Sequence, residues 1–431
     1  MVDNANSDYE FIKEQIVEKK IKKFKKYFIR FSVTFFTAVF FGIVAAVTFV
    51  LAEPTIYKIF NKDSRDNSPI ALPTSTDVQE IEITGIPDES EAAAKESIPE
   101  TVIQKIDANL SDYKDMYYEL RKVAYKVNKS VVKICSTFIM EDWFNNLVEK
   151  NVYTTGVIVA ETPTNLYILV SLDRIQNADK IRLKFSDTVY VDAWITDYEE
   201  EINIAIINVS KKDIPSIYLS GLRPAILGRN YSLVVGNPVI ALGSPNGHLN
   251  SMGLGIISSE GSSVAITDNI LKLFNTDIDD NDDGDGVIVN MRGEVIGWIT
   301  RTLKENQNKN INTAISVEYI RPYILRMINQ SPRIYFGIKA KDMTEDAKQA
   351  YNVSNGIYID EVYADSPAFK GNIKNGDIIV SVNNVKVMNT NNFFKLISQY
   401  MPDTQVDIGL VRANGNSVKQ MELSVTLTNK P

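Results

Sequence analysis

A mainly β chain, behind one N-terminal transmembrane helix and ahead of a small α+β module, is the architecture this sequence predicts. Three observations lead there. From Ser130 onward, runs rich in valine, isoleucine and aromatic residues, among them SVVKICSTF, NLYILVSL, INIAIINV and EVIGWIT, are separated by turn residues. Short strands with little intervening helix predict an antiparallel sandwich or barrel rather than a βαβ sheet. From Phe31 to Ala52, 22 consecutive residues carry no charge. From about Arg333, strands mix with a helix expected around Asn392–Tyr400, over a stretch the size of one small module.

Taken in chain order, residues 1–30 end in a basic cluster of Lys19, Lys20, Lys22, Lys23, Lys25, Lys26 and Arg30. The uncharged span at 31–52 follows, long enough as a helix to cross a hydrocarbon core of about 30 Å. It exceeds the roughly 7–15 residues of a signal-peptide core, so an uncleaved anchor is expected. The lysines place the N-terminus in the cytoplasm and everything after residue 53 outside. Residues 53–109 are expected to be an acidic, disordered linker. Within 63–105 stand four prolines, ten acidic and three basic residues and no aromatic ring. Such a segment buries too little apolar surface to offset its ordering entropy. An amphipathic helix is expected from Leu110 to Val127, with Tyr113, Met116, Leu120 and Ala124 at helical spacing.

Composition narrows the chemistry. Fifty-four acidic residues against 46 basic ones, a net charge of −8, show no nucleic-acid signature. The single cysteine, Cys135, excludes an intramolecular disulfide and any zinc site built on cysteine pairs. It sits mid-strand between apolar neighbours and reads as a small buried hydrophobe. The single histidine, His248, limits any imidazole chemistry to itself, and its setting in GSPNGHLN reads as an exposed turn.

The order of motifs resembles that of HtrA/Deg proteases. VAYKVNKSVVKI is similar to the family's opening segment, and TTGVIV to its strand before the catalytic histidine. VVGNPVIALGSPNG with LGIISS resembles the entry to the second barrel, and VNMRGEVIGWIT the strand pair after the nucleophile. The resemblance covers roughly residues 118–428. It implies a trypsin-like, chymotrypsin-fold double β-barrel at 110–330 and a PDZ domain at 333–428, on a membrane anchor.

A chymotrypsin-type protease needs a nucleophilic serine, an imidazole base and a carboxylate that orients the imidazole. Matched to the family's motifs, the histidine's place falls on Asp173 in YILVSLDRI, and the carboxylate's on Asn203 in INIAIINV. The serine's place falls on Gly284 or Asp285 in DDGDGVIVN. All three groups are replaced, which leaves at most residual rate from binding and the oxyanion hole. A pseudoprotease is expected, the rivals being an active envelope serine endopeptidase and a calcium-responsive sensor. The resemblance further implies that Trp143 and Phe144, before the second strand, support a homotrimer; the other reading is that they cover the core.

Two more sites are singled out. Asp279, Asn281 and Asp283 alternate ahead of Gly284, with Asp285 after it, as in the first half of a calcium loop. The closing position is Asn290 instead of a bidentate glutamate, so the expectation is weak calcium binding, or a solvated acidic turn. The other site is Tyr335-Phe336-Gly337-Ile338, which resembles the carboxylate-binding turn of PDZ domains. There backbone amides hold a peptide's terminal carboxylate and the next strand pairs with the peptide. Gly337 keeps that turn unobstructed. Phe394 and Ile397 are expected to line the groove, although each alone fits a core position equally well. The implied partners are C-terminal or unfolded segments of envelope proteins.

Overall fold

The structure, a computed structural model, describes residues 72, 109–229, 233–304, 311–414 and 417–430. The expected transmembrane span and its basic flank lie outside the described residues. Among the described residues no helix is long and apolar enough to cross a membrane.

The first element among the described residues is α1 (Leu110–Val127), at the expected bounds. Asn109 caps it: its side chain accepts from the Ser111 and Asp112 amides while the Asp112 carboxylate accepts from the Asn109 amide. The expected apolar stripe is buried only at its C-terminal end. Ala124 is buried, whereas Tyr113 and Met116 are exposed, because the barrel reaches only the last turns of the helix. Leu72 corrects the linker reading at one point: it is 6% exposed and packs into the barrel core.

Strands β1 (Val131–Glu141), β2 (Leu147–Glu161), β3 (Asn165–Ser171), β4 (Lys180–Lys184), β5 (Tyr190–Glu199) and β6 (Ile204–Ser210) close into a barrel in the order β1-β2-β3-β6-β5-β4. The short α2 (Ser216–Leu219) leads on to β7 (Pro238–Ser244), β8 (Ser251–Ile266), β9 (Asn269–Asp279), β10 (Asp285–Asn290), β11 (Val295–Ile299) and β12 (Ile311–Ser316). These close a second antiparallel barrel, β10-β11-β12-β9-β8-β7. Helix α3 (Val317–Asn329) packs its Ile320, Ile324 and Met327 onto both barrels.

The apolar runs that do not alternate now have a cause. In β2, Ile158 points into the first barrel while Val157 and Val159 pack against the second. In β7, Val239 and Ala241 fill the second barrel while Ile240 and Leu242 face the first. A strand buried on both faces carries apolar residues at successive positions. Cys135 is buried, as expected. Trp143 and Phe144 do not cover the core: they stand at the β1–β2 hairpin tip, 100% and 85% exposed.

The C-terminal domain comprises β13 (Ile334–Tyr335), β14 (Ile338–Asp342), α4 (Glu345–Ala350), β15 (Ile357–Val362), α5 (Pro367–Lys370), β16 (Ile378–Val382), β17 (Val385–Lys386), α6 (Thr390–Ile397), β18 (Gln405–Asn414), β19 (Ser417–Thr426) and β20 (Thr428–Asn429). Its main sheet runs β14-β15-β16-β18-β19, with β17 beside β16. Helix α6 stops at Ile397 and starts two residues earlier than expected, the start being set by the Asn389 side chain, which caps it by accepting from the Asn392 amide. Asn383 and Asn384, at φ 46° and 64°, make the expected tight turn between β16 and β17.

Candidate functional sites: an ion cluster between the barrels and an occupied carboxylate turn

The two barrels meet where three distant segments of the chain converge. Asp173 lies in a single helical turn, Leu172–Arg174, directly after β3. Asn203 precedes β6 with a left-handed φ of 53°, a conformation asparagine tolerates better than most residues. The two side chains face each other. Asn203 Nδ2 donates to Asp173 Oδ1 at 3.0 Å, and the Asp173 amide donates to Asn203 Oδ1 at 2.9 Å. The positions matched to the base and its orienting carboxylate are therefore neighbours in space, joined by an amide–carboxylate pair with no imidazole between them.

Asp285 enters from the start of β10 and is 2% exposed. Ser171 Oγ donates to its Oδ1 at 2.5 Å, and Thr154 Oγ1 to its Oδ2 at 2.6 Å. Arg301 Nη1 lies 3.3 Å from the same carboxylate and donates to the Gly284 carbonyl at 2.9 Å. Arg301 Nη2 reaches both oxygens of Asp173, at 2.9 and 2.8 Å. Burial works against the charge on Arg301, but Asp285 and Asp173 outweigh it and hold the guanidinium above its ordinary pKa. Arg174 adds a second cation, 3.7 Å from Asp285 and 3.0 Å from Asp283.

Gly284 has no room for a larger residue: an added Cβ would stand 2.7 Å from the Pro245 carbonyl oxygen and 2.8 Å from that of Asn281. The described cluster thus consists of carboxylates, guanidinium groups and hydroxyls already bonded to one another. His248 is exposed on the turn between β7 and β8.

The acidic loop sends its oxygens to the protein itself. Asp283 pairs with Arg174, Asp280 with Lys304, and Asp285 turns inward. Asn281 Oδ1 accepts from the Asp283 amide at 2.8 Å, and Asn290 accepts from the Arg292 and Glu294 amides. Among the described residues no group of three or more acidic, histidine or cysteine side chains is placed to hold a metal ion.

In the C-terminal domain the turn Tyr335–Ile338 has the expected form, with Gly337 at φ 90°. The reason for glycine is only partly the expected one. A Cβ there would come within 2.1 Å of the Ser366 Cβ, so the first collision is with the buried start of α5. Phe336 is fully buried and meets the Phe393 ring edge-on at 5.4 Å. Phe394 and Ile397 are also buried in the domain core, packed in the same cluster as Ile338.

The backbone donors of this turn are engaged. The amides of Phe336, Gly337 and Ile338 donate to the carboxylate of Asp268, at 2.8, 2.8 and 3.0 Å. Asp268 belongs to the tip between β8 and β9 of the second barrel and adopts a left-handed φ of 55°. Its own amide donates to the Ile338 carbonyl at 2.9 Å. The neighbours brace the tip: the Thr267 amide donates to Glu201, and Asn269 Nδ2 to Tyr323 Oη. Burial pushes the Asp268 carboxyl up to about 6, against the opposing pull of the three amides and of Lys430.

The sequence motifs point to Asp173, Asn203 and either Gly284 or Asp285 as one site but not to Arg301, Arg174, Thr154, Ser171 or Asp268. Arg301 leaves a trace, as the first charge after an otherwise apolar strand. Asp268 leaves none, since an aspartate in a hairpin turn is ordinary.

Comparison with known proteins gives the same two parts. Residues 335–427 match the PDZ domain family. Over 275 residues the chain is 29% identical to the probable periplasmic serine endoprotease DegP-like of Rickettsia conorii, covering 62% of this chain and 52% of that protein. It is 29% identical over 329 residues to serine protease HTRA1 of Xenopus tropicalis, covering 72% and 67%. It is 28% identical over 279 residues to the periplasmic pH-dependent serine endoprotease DegQ of Escherichia coli, covering 63% and 58%. The chain spans about half the length of the DegP-like relatives. Among solved structures, the HtrA-type protease AlgW with decapeptide superposes with a TM-score of 0.54 at 19% identity, covering 72% of this chain and 98% of that one, a likeness of fold.

Proposed function

From the premise that this chain is an HtrA/Deg-like protein with a C-terminal PDZ domain, we propose that it is a membrane-anchored, extracytoplasmic pseudoprotease. Its working part is the PDZ groove, which binds C-terminal or unfolded segments of envelope proteins, and its double barrel is a scaffold. One observation carries the pseudoprotease reading: Asp173 and Asn203, matched to the base and its carboxylate, and Asp285, beside Gly284 at the place matched to the serine, are tied by Arg301 into one hydrogen-bonded ion cluster. A nucleophile needs a base within hydrogen-bond reach and open space for a substrate carbonyl. Here the hydroxyls of Ser171 and Thr154 are spent on the Asp285 carboxylate, which two arginines also face. The topology rests on the seven basic residues before the uncharged span.

Peptide affinity is about micromolar, since only a few residues are gripped and their ordering opposes binding. Calcium has a minor place: the loop carboxylates would leave arginine and lysine partners to take it, so binding needs on the order of 10⁻³ M.

The decisive test combines a fluorophosphonate probe with digestion of unfolded casein by the purified protein. Neither labelling nor turnover is expected. Stoichiometric labelling, or casein turnover abolished by a mutation in the barrels, would replace this reading with the active endopeptidase that the relatives' names suggest.

A further inference from the structure

We infer that the PDZ carboxylate turn is held by an internal stand-in: the Asp268 side chain occupies the place of a peptide's terminal carboxylate, and an incoming C-terminus binds only by displacing it. The inference rests on the peptide-binding reading above and names how that groove is regulated.

Two kinds of contact carry it. The first is the anion. A PDZ turn grips a carboxylate with successive backbone amides, and the amides of Phe336, Gly337 and Ile338 all point to Asp268. Each of these donors has one proton to give, so two carboxylates cannot share the turn. The second is the strand. The Asp268 amide bonds the Ile338 carbonyl, which is the first rung a bound peptide would form by adding itself to β14. The β8–β9 hairpin also packs against both β14 and α6, the two walls of the groove. Asp268 therefore reproduces the last residue of a ligand in both its anion and its backbone pairing.

The chemistry of the contact makes it releasable. Among the described residues Asp268 forms no ion pair, and its partners are neutral amides. Lys430, whose positive charge acts on it, is paired with Glu199 and Glu201. A peptide carboxylate offers the same amides the same charge, so exchange of one for the other is close to balanced. The hairpin has the advantage of being tethered, which acts as a high effective concentration. Ile266 is buried in the barrel core and keeps the tip in place to return.

The test uses the full chain and two variants that respect the left-handed turn. Asp268→Gly suits the positive φ and deletes the carboxylate; Asp268→Asn keeps an acceptor oxygen and loses the charge. Binding of fluorescent free-carboxylate peptides and their amidated twins is measured, with hydrogen exchange over residues 335–338. Asp268→Gly is expected to bind free-carboxylate peptides about tenfold tighter or more, Asp268→Asn to fall between it and the native chain, and exchange to quicken in Asp268→Gly. Equal affinity in all three chains overturns the inference, and so does equal exchange. Faster exchange in Asp268→Gly with no peptide binding to any chain separates the two ideas: the internal occupancy stands and the peptide-binding reading falls.

Discussion

Asp285 and Asp268 are two inward-turned carboxylates that fill two sites, and they are held in opposite ways. Asp285 sits between barrels among Arg301, Arg174, Ser171 and Thr154. Asp268 sits between a barrel and the PDZ domain against three backbone amides. A buried charge facing cations of opposite sign cannot leave without stranding them. A carboxylate on neutral amides leaves behind donors that water or another anion satisfies. The first contact is a permanent part of the fold, whereas the second is exchangeable, and a PDZ groove that reads ligands needs the second kind.

The largest effect is expected at the cluster. Asp285→Ala leaves Arg301 facing a buried gap and is expected to destabilise the protein by about 3–5 kcal/mol, read from denaturant titration. A loss below about 1 kcal/mol would mean that Asp285 is no more fixed than Asp268. Gly337→Val comes next. The Ser366 overlap and the left-handed backbone together cost about 2–4 kcal/mol, seen as a lower unfolding midpoint with peptide binding lost. Native-like stability with native binding would show that the turn relaxes freely.

Asp268→Gly sharpens the contrast: its effect on global stability is expected to be only about 1–2 kcal/mol, because the freed amides rehydrate. A loss as large as that of Asp285→Ala would make the hairpin contact structural. Smallest is the effect of calcium. At millimolar concentration the melting temperature is expected to rise by only about 1–2 °C, since the site is about half filled there and Asp280 and Asp283 already face Lys304 and Arg174; a rise of many degrees would show that the loop gathers tightly around a cation. Restoring Asp173→His, Asn203→Asp and Gly284→Ser together is expected to yield no casein turnover, because a serine Cβ at 284 runs into the Pro245 and Asn281 carbonyls.

Much of the fold is legible in the chain. Residues 110–127 carry a helical period, and the structure keeps those bounds. The PDZ turns follow from glycine, asparagine and proline placed where their backbone preferences demand them. The helix expected around Asn392 begins two residues earlier because Asn389, an inconspicuous loop residue in the sequence, serves as its cap. The exposure of Trp143 and Phe144 is open in the sequence, since an aromatic pair in a hairpin loop fits a core or a surface equally.

What the sequence determined by itself was the set of parts: strand-rich barrels, a PDZ module, and a chain whose three matched triad places lack their histidine, aspartate and serine. These rest on local periodicity, turn chemistry and residue identity, all written within a few neighbouring positions. What only the tertiary structure decided was which residues meet at those places. Arg301 meets Asp173 across 128 positions, and Asp268 meets Gly337 across 69. Hairpins and barrel closure bring such residues together, and no local pattern records the meeting. The fate of a charge depends on the partner that the fold delivers to it, so the same residue type became a fixed strut in one cleft and a displaceable ligand in the other.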